Sequence, residues 1–228
     1  MPRLTDRRMI KAIIFDKDGT LHDTEKVFGQ AWRLAAEELG VPDIETTLHD
    51  CTGMALPAIA AYWAAKYPDI PFSEYLPRRS YHFDCILEDG VPVKPGAYEL
   101  LDYLTAHGYR IGIATSTERA DTMSHLARTD MLKYFDERAI ITGDMVKNGK
   151  PAPDIYLMAA ARLGVDPAEC IGVEDSNNGV RAIHAAGMRP IMIPDVVEPA
   201  EDAKALAWHR ASGLLELIPI LESEKVGV

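Results

Sequence analysis

The chain has 228 residues, of which 47% are hydrophobic and 26% are charged, a composition typical of a globular protein. Its 24 Lys and Arg against 35 Asp and Glu give a formal net charge of −11, which disfavours sequence-independent binding to nucleic acids and to anionic membranes. The amino-terminal residues lack the apolar stretch of a secretory signal, and no apolar run approaches the length of a membrane span.

Short apolar segments alternate with longer amphipathic ones along most of the chain. The first, Ile10–Phe15, is followed at once by the polar sequence DKDGT, which predicts a buried strand that ends at a turn. Later strand candidates are the ranges 109–114, 139–142, 170–173 and 190–193. Helices are predicted at 96–107, 153–163 and 178–186, each followed by a glycine. This alternation predicts an α/β fold with a doubly wound parallel sheet.

One region, between about residues 20 and 91, breaks this alternation. It shows no buried-strand pattern and is instead helical and amphipathic, and we expect Pro68, Pro71 and Pro77 to break the last of its three predicted helices. The sequence therefore predicts a discontinuous α/β core of residues 1–19 and 92–228. A helical subdomain, residues 20–91, is predicted as an insertion after the first strand.

Polar side chains follow the ends of three predicted strands, and a lysine lies in the loop before one of them. They are Asp16 and Asp18, Thr115 and Ser116, Glu174 and Asp175, and Lys150. The carboxyl ends of the strands of an open α/β sheet border one crevice, so we expect these groups to converge there. Carboxylates in one crevice repel each other unless a cation is present, and a Mg²⁺ ion with oxygen ligands fits them.

These groups suit the transfer of a phosphoryl group. Asp16 and Asp18 are two residues apart and share one face of an extended chain, where one can attack phosphorus and the other can give a proton to the leaving oxygen. Lys150, Thr115 and the metal ion suit the charge on phosphoryl oxygens. The turn at Gly19 lets backbone N–H groups approach an anion.

Four segments carry a resemblance to a known family. They are DKDGT at 16–20, the strand that ends in Thr115, GKPAPD at 149–154 and GVEDS at 172–176. In this order they resemble the four motifs of the haloacid dehalogenase-like (HAD) hydrolase superfamily, and their flanking sequences look most like its beta-phosphoglucomutase and phosphoglycolate phosphatase branch. The resemblance covers nearly the whole chain and implies a Rossmann-like core with a helical cap that closes over the site and selects the substrate.

The resemblance also implies catalytic roles. Asp16 would be the nucleophile that forms an aspartyl-phosphate, and Asp18 would be the general acid and base. Thr115 would bind the phosphoryl group, and Lys150 would neutralise it and steady Asp16.

The metal ligands that the resemblance implies are Asp16, the backbone carbonyl of Asp18, and Asp175. Glu174, beside Asp175, would be a further ligand or a group that supports one. Our candidates for substrate contact are Gly19, Ser116, His22 and Asn148. For His22, at the hinge, a solvent-exposed position is the alternative.

In this superfamily the dehalogenases and the phosphonate-cleaving branch lack an acid at the position of Asp18, so its presence favours phosphoryl transfer. The ion-pumping ATPases of the superfamily are disfavoured separately, because they need membrane helices. Two features disfavour a mutase: the segment Thr52–Leu56 has no Lys or Arg to hold a second phosphate, and Phe28 stands where the mutase cap has a histidine. We therefore expect a Mg²⁺-dependent phosphatase of a small phosphomonoester: a sugar phosphate, a polyol phosphate or 2-phosphoglycolate. The alternatives are a phosphomutase like beta-phosphoglucomutase and a non-catalytic HAD-like binding or regulatory protein.

The cysteines bear on where this protein works. Cys51, Cys85 and Cys170 form no CxxC pair, and their odd number favours free thiols in a reducing cytoplasm. We expect a cytoplasmic protein whose partner is a small phosphorylated metabolite, without nucleic acid or membrane partners, as a monomer or a weak homodimer.

Overall fold

The structure is a computed structural model that describes residues 9–51 and 56–225. Within these ranges the chain forms ten α-helices and six β-strands. It divides into two compact units, Met1–His22 with Val93–Val228, and Asp23–Pro92. We call the first the α/β unit and the second the helical unit. In the described part of the chain, no helix has the length and apolar character needed to cross a membrane.

The α/β unit is built on one parallel sheet. Its strands are β1 (Ala12–Phe15), β2 (Arg110–Ala114), β3 (Ile140–Ile141), β4 (Cys170–Glu174), β5 (Arg189–Met192) and β6 (His209–Arg210), in the order β3-β2-β1-β4-β5-β6. Every neighbouring pair is parallel, which confirms the predicted fold class. The sequence did not predict β6, because its two residues are exposed and carry no apolar pattern.

Helices cover both faces of this sheet. They are α5 (Ala97–Ala106), α6 (Arg119–Arg128), α7 (Asp154–Leu163), α8 (Asn177–Ala185), α9 (Glu201–Leu206) and α10 (Leu217–Lys225). Alternate residues of β1 enter two separate cores: Ile13 and Phe15 pack with α5, α6 and α10, whereas Ala12 and Ile14 pack with α7 and α8. Burial on both faces explains why the strand reads as a continuous apolar run.

The strand order fixes where a site can form. From β1 the chain moves to β2 and β3 on one side of the sheet, then crosses to β4, β5 and β6 on the other. The order therefore reverses beside β1, and a crevice opens at the carboxyl ends of the strands at such a point.

The helical unit consists of α1 (Glu25–Leu39), α2 (Ile44–Cys51), α3 (Leu56–Lys66) and α4 (Phe72–Glu88). Its core is aromatic: the ring of Tyr75 lies 4.0 Å from that of Trp63 and 5.2 Å from that of Trp32. The Tyr75 hydroxyl donates a hydrogen bond of 2.7 Å to the backbone carbonyl of Trp32, which ties α4 to α1.

Proline does not break the last helix of this unit, contrary to the prediction. Pro77 lies inside α4, which continues from Phe72 to Glu88. An interior proline removes one backbone hydrogen bond and costs roughly 3 kcal/mol. Here Tyr75 and Leu87, one on each side of Pro77, are buried and hold the helix in place.

Candidate active site

The loop after β1 lies against the end of β4. The N–H of Asp16 donates to the carbonyl of Val173 at 2.9 Å, so the pairing of β1 with β4 extends to the first aspartate. Gly19 has a φ of +78°, and a Cβ placed there would lie 2.3 Å from Oδ2 of Asp175. Only glycine allows this backbone conformation together with so close a carboxylate. Asp175 is thereby held next to the loop, where the Thr20 hydroxyl also reaches its Oδ1 at 3.4 Å.

Lys150 links the loop before α7 to the ends of two strands. Its Nζ donates to Oδ1 of Asp16 at 2.6 Å and to Oε1 of Glu174 at 2.5 Å. The side chains of Lys150, Asp16 and Glu174 are only 7%, 10% and 1% exposed. Burial alone would lower the pKa of Lys150, but the two carboxylates raise that pKa well above its usual value. A permanent cation therefore lies between the two carboxylates.

Lys150 alone does not keep Asp16 ionised, because the pKa of Asp16 stays raised in spite of this cation. Burial raises the pKa of Asp16 to about 8; Lys150 opposes this shift, while the carboxylates of Glu174 and Asp18 add to it. A carboxyl group with that pKa is largely protonated at neutral pH and is then a poor nucleophile. A second cation beside Asp16 would lower its pKa and restore the carboxylate.

Asp18 is held at both of its oxygens. Oδ1 accepts from Nζ of Lys17 at 2.6 Å. Oδ2 accepts from the hydroxyl of Thr117 at 2.6 Å and from that of Thr115 at 3.4 Å. Thr115 follows β2, the neighbour of β1, so the two strand ends bring this hydroxyl to Asp18.

Glu174 also has partners at both oxygens. Besides Lys150, Oε1 accepts from the hydroxyl of Tyr156 at 3.2 Å, while Oε2 accepts from the N–H and the hydroxyl of Ser176 at 2.9 and 2.8 Å. The carboxylate occupies the space beside Gly179 of α8, where a Cβ would overlap it. These contacts connect β4, α7 and α8 to Lys150.

The comparisons with known proteins agree with this geometry. The profile of the haloacid dehalogenase-like hydrolases matches residues 10–187. The chain belongs to this family. The resemblance predicted from the four segments is confirmed.

Similar proteins include phosphatases and a mutase. The chain is 33% identical over 216 residues to the phosphorylated carbohydrates phosphatase of Thermotoga maritima, covering 93% of this chain and 97% of that protein. It is 33% identical over 187 residues to the beta-phosphoglucomutase of Bacillus subtilis, covering 78% and 81%. The crystal structure of CbbY from Rhodobacter sphaeroides with phosphate superimposes with a TM-score of 0.73 at 29% identity, covering 92% and 96%. Family and relatives together make this HAD-like hydrolase a phosphoric monoester hydrolase.

The structure brings most of the predicted site residues of this hydrolase together. Asp16, Asp18, Gly19, Thr115, Lys150, Glu174 and Asp175 are joined by the contacts described above. Ser116 follows Thr115 and is exposed. Asn148 is also exposed, and its amide donates to Asp154 at 3.0 Å rather than to any residue of this group.

The prediction for His22 needs correction. His22 was expected to face the substrate or the solvent, but it is fully buried, and its Nε2 lies 3.2 Å from the hydroxyl of Thr129. Glu174 was expected as a further metal ligand or as a group that supports one, and its two oxygens accept hydrogen bonds from Lys150, Tyr156 and Ser176. The arrangement makes Glu174 a support for Lys150.

Sequence reasoning missed Lys17, Thr117 and Tyr156 as members of the site. Lys17 lies between the two aspartates, and Thr117 lies two residues after Thr115, so their positions beside predicted residues were a usable signal. Tyr156 carried no such signal, because its hydroxyl reaches Glu174 only through the packing of α7 on the sheet.

The donors at the crevice fit a hard divalent cation. Among the described residues, no three His, Cys, Asp or Glu side chains form a ready metal-binding group. Asp16 and Asp175 nevertheless lie at the ends of neighbouring strands, and Lys150 occupies only Oδ1 of Asp16. A set of carboxylate and carbonyl oxygens without thiols or imidazoles suits Mg²⁺. The raised pKa of Asp16 is the second observation that favours a cation there.

Proposed function

We propose that this protein is a cytoplasmic, Mg²⁺-dependent phosphatase that hydrolyses a small phosphomonoester through a phosphorylated Asp16. The observation that carries the proposal is that Asp16, which lies two residues before the carboxylate of Asp18, pairs with the buried Lys150. Sugar and polyol phosphates are the favoured substrates, since similar proteins are named phosphorylated carbohydrates phosphatase and hexitol phosphatase B. 2-Phosphoglycolate remains a candidate from the resemblance.

In the first step, a carboxylate oxygen of Asp16 attacks the phosphorus atom. The bond from phosphorus to the ester oxygen breaks, and Asp18 gives its proton to that oxygen, which leaves as an alcohol. In the second step, Asp18 takes a proton from water, the water oxygen bonds to phosphorus, and phosphate leaves Asp16.

The remaining groups would stabilise the negative charge of the phosphoryl group and of Asp16. Lys150 and the Thr115 hydroxyl would stabilise the phosphoryl oxygens. Asp16, Asp175 and the backbone carbonyl of Asp18 would hold Mg²⁺, which when bound supplies positive charge to the phosphoryl group and to Asp16. We also propose that the helical unit is the cap that selects the substrate.

The mutase is the second candidate, because a beta-phosphoglucomutase is among the similar proteins. In the helical unit, Phe28 packs against Phe83 with ring centres 4.4 Å apart, and the guanidinium of Arg79 lies 5.3 Å from the Phe28 ring. A phenyl group in this apolar contact cannot take part in proton transfer, as a histidine could. The segment Thr52–Leu56, whose lack of basic residues also disfavours a mutase, lies outside the described residues except for its last member.

The test is phosphate release from a panel of sugar, polyol and glycolate phosphates, with Mg²⁺ or with a chelator. We expect metal-dependent release by the wild type and none by Asp16→Asn. Asp136→Asn is the matched control, because Asp136 pairs with Arg138 on the surface. Conversion of one hexose monophosphate into another when the bisphosphate is added, without release, would establish the mutase. Binding without either reaction would establish a non-catalytic protein.

A further inference from the structure

A lysine is completely buried in the loop that carries the two aspartates. Lys17 is 0% exposed, although lysine is almost never fully buried unless it is paired. Its Nζ donates to Oδ1 of Asp18 at 2.6 Å and lies 3.2 Å from Nδ1 of His125 on α6. The phosphatase mechanism proposed above assigns no role to either Lys17 or His125.

The contact with Lys17 fixes the state of His125. An ammonium group has donors and no acceptor, so Nδ1 of His125 must accept and its proton must be on Nε2. The histidine is therefore neutral, in agreement with burial and the charge of Lys17, which lower its pKa. The other charged or titratable groups that influence it are Asp18, Asp121 and Arg128, and the His22 ring lies 6.3 Å away. His125 thus holds Lys17 without competing for Asp18.

The contact with Lys17 distinguishes the two oxygens of Asp18. Lys17 occupies Oδ1, which disfavours a proton on that oxygen, because a protonated oxygen would place its hydrogen against an ammonium group. Oδ2 lies on the opposite side, next to the hydroxyls of Thr117 and Thr115. Hydroxyl groups can rotate between donating and accepting, so they tolerate a proton on Oδ2.

We propose that Lys17, itself held by His125, positions Asp18 so that Oδ2 is the oxygen that exchanges the proton with the substrate and with water. Lys17 is a positioning residue, since it acts through Asp18 and touches no reacting atom. The inference rests on the proposed phosphatase function.

Leaving-group chemistry separates this role from a structural one. A sugar phosphate expels a poor leaving group that needs a proton from Asp18, whereas p-nitrophenyl phosphate expels a stable phenolate that needs little help. The parameter kcat/KM reports events up to the phosphorylation of Asp16, so it isolates the step in which the leaving group departs. A displacement of about 1 Å can lower a rate about 100-fold.

The experiment compares both substrates in the full-length protein with Mg²⁺. For Lys17→Met we expect kcat/KM to fall about 100-fold on the best sugar phosphate and less than about 3-fold on p-nitrophenyl phosphate, chiefly through kcat. His125→Leu should show the same selectivity to a smaller degree, while His125→Gln, which retains an acceptor, should recover part of the rate. Lys11→Met is the control, because Lys11 lies at the other end of β1 in an exposed pair with Glu169.

Non-additivity tests whether Lys17 acts through Asp18. The double variant Lys17→Met with Asp18→Asn should be no slower on the sugar phosphate than Asp18→Asn alone. Equal losses on both substrates, or a further loss in the double variant, would overturn the proposal. If Lys17→Met fails to fold, the two His125 variants decide the question by the same comparison of substrates. A wild type without turnover, unchanged by Asp16→Asn, would instead reject the phosphatase itself and this inference with it.

Discussion

Removing the charge of Lys150 leaves two buried carboxylates without their shared cation. Its Nζ lies 2.6 Å from Asp16 and 2.5 Å from Glu174. Removing one partner of a buried ion pair costs about 3–5 kcal/mol. Because one lysine serves two carboxylates here, we expect Lys150→Met to lower the free energy of unfolding by about 4–5 kcal/mol near pH 8.

The loss should depend on pH in a defined direction. The pKa of Asp16 is already raised by burial to about 8 in the folded protein, against 3.8 for the model carboxyl group. A group whose pKa is raised on folding contributes stability at low pH that is lost as the pH rises, here between about 4 and 8. Without Lys150 this pKa rises further, so Lys150→Met and the wild type should lose stability in parallel up to about pH 8, and the difference between them should grow only above that pH.

The measurement is urea denaturation of the metal-free protein for Lys150→Met, Glu174→Gln and the double variant. Neutralising Glu174 removes one of the two uncompensated charges, so the double variant should recover about 1–3 kcal/mol relative to Lys150→Met. Lys11→Met, which breaks only an exposed pair with Glu169, should change stability by less than about 1 kcal/mol. Equal stability of Lys150→Met and Lys11→Met at pH 8, or no recovery in the double variant, would refute the reasoning. With substrate, Lys150→Met should lower kcat by about 10²–10³.

Three further predictions concern other parts of the molecule. Gly19→Ala should lower the free energy of unfolding by about 1–2 kcal/mol, because residue 19 has a positive φ. It should also weaken the rise in melting temperature with Mg²⁺, because a Cβ would displace Asp175, and an unchanged response to Mg²⁺ would contradict this. Tyr75→Phe should lower the free energy of unfolding in urea by about 1 kcal/mol, because it removes the hydrogen bond to the carbonyl of Trp32; wild-type stability would count against a contribution from this bond. Burial lowers the pKa of His22 to about 3, so the wild type should lose up to about 1.4 kcal/mol per unit as the pH falls below about 6.5; His22→Asn should flatten this slope, and parallel slopes would disprove it.

Much of the sheet could be predicted because its inner strands are buried on both faces. Such strands appear as short apolar runs that stop abruptly at a polar turn, as Phe15 stops before Asp16. The same logic fails for β6, whose residues His209 and Arg210 are exposed. It also fails for α4, since a local rule about Pro77 is overridden by tertiary packing of Tyr75 and Leu87.

The positions of the site residues were easier to predict than their partners. Glu174 and Asp175 are adjacent, and successive residues of an extended chain point to opposite faces, so the two carboxylates could not share one environment. Alternation therefore separates a carboxylate that supports Lys150 from one that faces Gly19. Which of the two does which depends on where Lys150 and Tyr156 lie, and that is set by the packing of α7 on the sheet.

The same alternation accounts for Lys17. Asp16 and Asp18 share one face of the chain, so the residue between them points away, into the protein. A lysine there is tolerable only if a buried partner meets it, and the partner, His125, is 108 residues further along the chain. Local sequence could therefore indicate that Lys17 needed a partner, but only the packing of α6 on this side of the sheet supplies it.

Each of the two aspartates thus has a buried lysine of its own, Lys150 for Asp16 and Lys17 for Asp18. When the four carboxyl groups of the crevice, those of Asp16, Asp18, Glu174 and Asp175, are all ionised, the two lysines leave two negative charges uncompensated. A site with that charge would repel a phosphate dianion, in a chain that is itself strongly acidic. One divalent cation would remove the excess and would lower the pKa of Asp16 at the same time. The charge balance of the described side chains is therefore an argument for metal dependence that stands apart from the family resemblance.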